Sequence, residues 1–282
     1  METQRGFFLR LLESAVGEAR RKMKVGNVRV GLRLSVTLVA VYLLVACASH
    51  APEPQVLTLA SSPWAVASSS AVKPARWQHR EFPGKRHSLY RYARVDGRDT
   101  MLVRADSSAS MLRQAVRVEP ADLSHLRFSW KVPALIESAD LTVRERADSP
   151  VRVVLAFEGD RSKFSVKDSM LSELAHALTG EPMPYATLMY VWCNKGEPGS
   201  VLVNPRTSRI RKLVMESGPG HLNQWLDYER DVRADFVKSF GELPGALVAI
   251  GIMTDTDNTQ STTQAWYGPV RLVRAADQAA TP

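Results

Sequence analysis

The polar run Asp255-Thr256-Asp257-Asn258-Thr259 closes an apolar segment and is the stretch most suggestive of chemistry. Alternating oxygen side chains suit Ca²⁺, which takes six to eight oxygen ligands, and Asp255, Asp257 and Asn258 are the candidate ligands. The run lacks the glycine and terminal glutamate of an EF-hand loop. The plainer reading of the same residues, and the favoured one, is an Asx-rich turn, in which side chains bond their own backbone. Carboxylates also raise the prospect of glycoside hydrolysis, which needs a protonated acid and an ionised partner facing each other at about 5–10 Å. Glu158, Asp160, Glu216, Asp255 and Asp257 fall near predicted strand ends and are the candidates.

Other catalytic signatures are weaker. The histidines His50, His79, His87, His125, His176 and His221 never pair at the two- to four-residue spacing of zinc ligands. No Gly-x-Ser-x-Gly elbow, Walker A loop or dinucleotide fingerprint occurs. Ser217-Gly-Pro-Gly-His221 reads as a Gly/Pro turn rather than a hydrolytic pair. Cys193 sits in the apolar run Leu188–Trp192 and is expected to be a buried, unreactive thiol. The aromatic residues offer a binding chemistry instead. Tyr190 and Trp192 share one face of a predicted strand, and Trp266 and Tyr267 lie on another. On an open face they would stack on sugars, with Asn194, Arg211 and Glu216 as partners for hydroxyls; on the inner face they would fill a core.

These residues must be positioned by strands. Leu126, Phe128, Trp130 and Val132 alternate with polar residues, and Val151, Val153, Leu155 and Phe157 keep the same period of two. Further strands are predicted near 78–82, 88–95, 100–105, 111–118, 186–193, 210–216, 246–254 and 265–273. Many short strands with polar turns imply a mainly β fold, an antiparallel β-sandwich of the jelly-roll kind with two short helices. The first helix follows Ser165, whose capping-box partner is Asp168, carries Val166, Met170, Leu174 and Leu178 at four-residue steps, and stops at Gly180. The second spans about 231–240, with Val232, Phe236 and Phe240 on one stripe. Neither helix alternates with strands in a βαβ rhythm, so a doubly wound sheet is not expected.

The N-terminal part addresses location. Lys24, Arg29 and Arg33 precede an uncharged apolar stretch, Leu34 to Ala46, which is too short for a comfortable transmembrane helix and suits a signal-peptide core. The stretch ends in Leu44-Val-Ala-Cys47, which resembles the lipobox of bacterial lipoproteins. That resemblance implies cleavage before Cys47, lipidation of its thiol and a membrane anchor; Ala48, not being Asp, favours the outer membrane. An ordinary secretory signal or an uncleaved anchor would also place the domain outside the cytoplasm. Residues 1–22 precede a complete leader, so Met23 is the expected start. The segments expected are then 1–22 upstream extension, 23–47 signal peptide, 48–75 Ser/Pro-rich tether, 76–274 β-sandwich and 275–282 tail.

The chain carries 37 Lys/Arg and 29 Asp/Glu, a net charge of +8. Eight of those bases and three of those acids fall within 1–47, leaving 29 against 26 downstream. That residue of charge is about +3 and has no basic block, so nucleic acid is not an expected partner.

Several separated motifs resemble a bacterial family catalogued as domain of unknown function 3047. They are Tyr185-Ala-Thr-Leu-Met-Tyr-Val-Trp-Cys-Asn194, Glu216-Ser-Gly218, the run from Trp225 to Gly241, Met253–Thr259 and Ala265-Trp-Tyr-Gly268. The resemblance spans roughly 77–274 and implies no activity and no catalytic residues. A weaker similarity is to the galactose-binding-like jelly rolls of carbohydrate-binding modules, in which a Trp, a strand ending in Asp-Val, a short helix and a closing strand follow in the order of Trp225, Asp231-Val232 and Tyr267-Gly268. Pro269 departs from the acidic residue usual there. The leading expectation is an exported envelope lipoprotein with a non-catalytic domain that binds a glycan or an envelope protein. The alternatives are a hydrolase of envelope polysaccharide and a subunit that docks another protein.

Overall fold

A computed structural model describes residues 62–65 and 77–273. In chain order the strands are β1 (Trp77–Glu81), β2 (Leu89–Val95), β3 (Arg98–Asp106), β4 (Ser110–Val118), β5 (His125–Lys131), β6 (Ser149–Phe157), β7 (Ala186–Cys193), β8 (Val201–Val203), β9 (Ile210–Ser217), β10 (Leu226–Asp231), β11 (Leu247–Asp255), β12 (Thr262–Tyr267) and β13 (Arg271–Val273). Helix α1 (Val166–Thr179) links β6 to β7, and α2 (Val232–Phe240) links β10 to β11. One sheet has seven strands in the order β1-β4-β11-β6-β7-β9-β8; the other runs β10-β5-β12-β3-β2, with β13 also paired to β5. The fold is the mainly β two-sheet sandwich expected, and among the described strands one pair departs from antiparallel pairing. Strands β7 and β9 run parallel, because β8 is interposed as the antiparallel partner of β9. Among the described residues no helix is long and apolar enough to cross a membrane.

Alternation decides what meets between the sheets. Val151, Val153, Leu155 and Phe157 of β6, Leu188, Tyr190 and Trp192 of β7, and Leu126, Phe128 and Trp130 of β5 all enter one core. Each fully buried side chain of this size stabilises the fold by about 1.5–3 kcal/mol. At its centre Phe128 stacks between Tyr190 at 5.2 Å and Tyr228 at 5.1 Å.

Three expectations are corrected. The predicted strand 265–273 breaks at Gly268-Pro269 into β12 and β13. The tether expected over 48–75 contains a docked piece: Trp64 is fully buried, packs edge-on against Trp77 at 4.9 Å and donates its indole N–H to the Gly268 carbonyl. Helix α1 forms as capped by Ser165 and Gly180, but its apolar stripe faces solvent. Val166, Met170, Leu174 and Leu178 are 55–80% exposed. The buried side is polar: Asp168 accepts bonds from Thr207 and Ser208, and Ser172 from Arg161. In α2 the stripe faces inward as patterned, with Val232 and Phe236 fully buried.

The outer face of the seven-stranded sheet is covered at one end by residues 133–148. Beneath that cover Arg152 and Asp255 form a buried two-bond ion pair at 2.7 and 3.0 Å, and Arg152 also donates to the Ala147 carbonyl. Lys212 lies beside them, 1% exposed, its ammonium donating to the Leu141 carbonyl at 2.8 Å. Burial, and then the neighbouring Arg152 charge, pull its pKa down to about 7 from 10.5. The unfolded chain therefore holds this proton more tightly than the folded one, so stability rises with pH between about 7 and 10.5. The penalty is fully present below about pH 7. Lys212→Met should raise the urea-unfolding free energy at pH 6 by ~2 kcal/mol, and the gain should shrink by pH 9. A gain that stays constant across that range would place the ammonium in water.

Candidate ligand-binding face

The site is built by the six-stranded sheet. Val95 and Arg98 pair across a two-residue hairpin, and its central residues Asp96 and Gly97 have φ of 52° and 77°. Asp-Gly tolerates this left-handed pair, which a type I′ turn requires. The turn holds the Asp96 carboxylate where the Lys131 ammonium donates at 2.7 Å and the Trp225 indole at 3.0 Å. Those two bonds, Lys131 first, hold the carboxyl below its usual range. Lys131 closes β5 and pairs in register with Trp266 on β12, its ammonium 6.0 Å from that ring. Arg98 lies 5.1 Å over the Trp225 ring and donates to both oxygens of Asp227 at 2.7 and 3.0 Å.

Strand parity puts these groups on the solvent side. Ala265 and Tyr267 point into the core, so Trp266 between them points out; Trp130 is inward, so Lys131 is outward. Both Trp225 and Trp266 are half-buried. Gly268 lets the chain pass close to β5 beneath Trp225, since a Cβ there would lie 1.9 Å from Ser129 Oγ. Two indoles with carboxylates and cations between them can stack on an apolar ring face while bonding hydroxyls at its rim.

The seven residues expected to bind ligand are not brought together. Tyr190, Trp192 and Tyr267 are core residues with no exposed surface. Their polar ends are used internally: the Tyr190 hydroxyl donates to Asp235 at 2.9 Å, the Trp192 indole to the Gly218 carbonyl at 3.0 Å, and the Tyr267 hydroxyl to the Met253 carbonyl at 2.6 Å. Burial is the physical reason they offer no platform. Asn194 is tied to the Ile136 and Glu137 carbonyls, and Arg211 lies 5.8 Å over Phe240 of α2. Only Trp266 of the seven joins the outer patch. Trp225, Asp96, Arg98 and Lys131 were not foreseen; the Asp-Gly turn and the position of Lys131 after an alternating strand were the available signals.

The acidic run does assemble a cluster, with Asp148 added: oxygens of Asp148, Asp255 and Asp257 lie within 4.8 Å of one another. The arrangement does not fit Ca²⁺. Asp255 gives both oxygens to Arg152. Asp148 accepts four bonds from the backbone and side chains of Asn258 and Thr259, and Asp257 meets Lys85 at 2.5 Å. Asn258 is thus a donor to the cluster. These carboxylates brace a turn.

Glu216 has different company. Its oxygens meet the His221 ring at 2.8 Å and the Tyr228 hydroxyl at 2.7 Å, so the Gly/Pro turn folds His221 onto Glu216 rather than Ser217. Burial and then the bond to Glu216 push the Tyr228 hydroxyl far up. Cys193 is buried, its thiol donating to the Lys195 carbonyl, and burial pushes its pKa up. A thiol in that state is a poor nucleophile. Cys47 lies outside the described residues.

The fold is a two-sheet β-sandwich that carries an aromatic patch on the outer face of its six-stranded sheet. The sequence matches a family over residues 75–271, and the chain belongs to that family, described as protein of unknown function (DUF3047). No curated protein matches the chain. Among solved structures it is similar to the glycoside hydrolase domain of Endo-D from Streptococcus pneumoniae R6, with 10% identity and a TM-score of 0.30 over 70% of this chain. The match spans about a fifth of that protein, 21% of its length. It is also similar to the xyloglucanase domain of NopAA, a type three effector from Sinorhizobium fredii, with 11% identity and a TM-score of 0.36 over 70% of this chain and 92% of that one. A third similarity is to the mannan-recognising carbohydrate-binding module TmCBM27, with 8% identity and a TM-score of 0.25 over 70% of this chain and 87% of that one.

Two measurements check the acidic cluster. Millimolar Ca²⁺ should leave the melting temperature of the purified chain unchanged. Asp255→Asn should cost ~3 kcal/mol in urea unfolding, because it leaves the buried Arg152 without its counter-charge. A rise in melting temperature with Ca²⁺ that Asp255→Asn removes would restore the metal site.

Proposed function

We propose that this chain is an exported, lipid-anchored envelope protein whose β-sandwich binds glycan on the outer face of its six-stranded sheet. The leader ending at Cys47 supports the location. The reading of the domain is carried by one observation: Trp225 and Trp266 stand half-exposed on a single sheet face, joined through Asp96 and Lys131. Indoles stack on the C–H faces of sugars, and the flanking Arg98, Asp227, Lys131 and Asp96 supply donors and acceptors at sugar-hydroxyl height. The module is non-catalytic in this reading, since its carboxylates are engaged by Arg98 and Lys131 rather than set in a facing acid–base pair.

A second reading, hydrolysis of envelope polysaccharide, is favoured by the Glu216–His221–Tyr228 contact, where a carboxylate with a side chain 15% exposed meets a histidine 56% exposed. Asp255 cannot serve it, being buried against Arg152. Glycan-array screening followed by calorimetry separates the two. Trp266→Ala and Trp225→Ala should each weaken binding at least tenfold, as stacked aromatic anchors do, with no reducing ends released by the parent chain. Release of reducing ends that stops in Glu216→Gln would favour the enzyme. For location, Cys47→Ser should move the chain out of the membrane fraction; retention there would remove the lipid anchor from the proposal.

A further inference from the structure

A second site, on the opposite sheet, is independent of the glycan reading. The uncovered part of the outer face of the seven-stranded sheet forms a groove of about 1590 Å³. Usual small-ligand sites measure about 300–1,000 Å³, so this one suits a long ligand. Its floor is largely apolar: Ala249, Gly251 and Met253 run along β11, Val154 and Ala156 lie beside them on β6, and Met111 and Met189 stand on β4 and β7, with Arg113 the charged neighbour of Gly251. The small residues set the depth; a Cβ on Gly251 would sit 2.6 Å from the Met111 sulfur. Methionine adapts its shape to an apolar guest.

The floor offers little to a polar polymer. Strands β4, β11, β6 and β7 each have a partner on both sides, so their backbone groups are used in the sheet. The charges around it are engaged: Arg80 and Arg113 hold Glu181 at 2.6 and 2.9 Å, Arg117 holds Glu158 at 3.1 Å, Lys85 pairs with Asp257, and Arg161 donates to Ser172 and the Met183 carbonyl. Tyr185 on the wall is no sugar platform either, since Arg209 lies 4.0 Å over its ring and Phe164 stacks on it at 5.7 Å.

One wall is helix α1, through Ala175 and Leu178. Leu178 also belongs to the outward stripe of Val166, Met170 and Leu174, so exposed apolar surface runs from the helix over the lip into the groove. An isolated stripe of this kind on a water-facing helix has no packing role, and exposed apolar surface continuous with a cavity marks where an apolar ligand enters. We propose that the groove holds the acyl chain of a lipid, which enters past α1.

The test uses the full chain carrying Cys47→Ser, so that no acyl group of its own competes, and a fluorescent polyene fatty acid as probe. Saturated fatty acids from eight to sixteen carbons should displace the probe at one per chain, each added methylene tightening binding about fourfold as apolar burial requires. Ala156→Phe should fill the floor and weaken binding at least tenfold, and Met111→Gln should weaken it by making the floor polar should the first variant fold poorly. Trp266→Ala should leave it unchanged. A lysophospholipid that competes better than the free acid would identify membrane lipid as the source, and the reverse would identify free acid. Affinity that does not grow with chain length, or that both floor variants leave intact, would overturn the proposal. So would displacement by an oligosaccharide through the groove. Loss of glycan binding in Trp266→Ala with fatty-acid binding intact would separate the two sites.

Discussion

The buried pair of Arg152 and Asp255 fixes how the outer face of the seven-stranded sheet can be used. Arg152 leaves β6 and Asp255 ends β11, the two strands at the middle of the seven-stranded sheet, and their side chains meet on its outer face. Two charges removed from water are tolerated only with full pairing and added hydrogen bonds. Asp255 takes two bonds from Arg152 and one from the Ser149 backbone, while Arg152 reaches on to the Ala147 carbonyl. The pair therefore holds residues 133–148 over one end of the sheet. The remaining part of that face stays open, and the boundary between covered and open sheet falls at Met189, whose sulfur lies 3.9 Å from the Arg152 guanidinium.

The same pairing explains what the acidic run became. A cluster of three aspartates with free oxygens would attract a cation, yet here Arg152, Lys85 and the Asn258–Thr259 amides and hydroxyl supply the positive and donor groups. The turn at 255–259 thereby joins the end of β11 to the end of the 133–148 segment. Its composition suits an Asx turn first and a metal loop second, and the partner that decides between them, Arg152, lies over a hundred residues away in sequence.

Regular elements were legible from spacing alone, and partners were not. The alternation in β5 and β6 and the capped ends of α1 and α2 are local patterns, and the structure follows them. The direction in which α1 turns its apolar stripe is set by tertiary partners: Thr207 and Ser208 reach Asp168, and Arg161 reaches Ser172. Three short polar contacts outweigh an amphipathic pattern when the opposite side of the helix has nothing to pack on. Trp64 escaped notice because Ser and Pro surround it, and its burial depends on Gly268 far along the chain. The contact of Glu216 with His221 was hidden by a turn whose Gly and Pro residues say only that the chain reverses.

Candidate ligand residues were legible as types and lost on parity. Tyr190, Trp192, Trp266 and Tyr267 read alike in sequence, and only the register of each strand separates core from surface. In β12 the choice is pinned by three neighbours: Trp266 stands opposite Lys131, Tyr267 opposite Trp130, and the Tyr267 hydroxyl reaches into the end of the core, to Met253. A slip of β12 by one residue would expose Tyr267 and bury Trp266, losing that internal bond and taking the indole away from Lys131. Gly268 resists such a slip, because any side chain at that point in the register would strike Ser129. The outer patch is thus held by the same register that fills the core, and this is why an aromatic so close in type and position to a core residue can stand in solvent without weakening the sandwich.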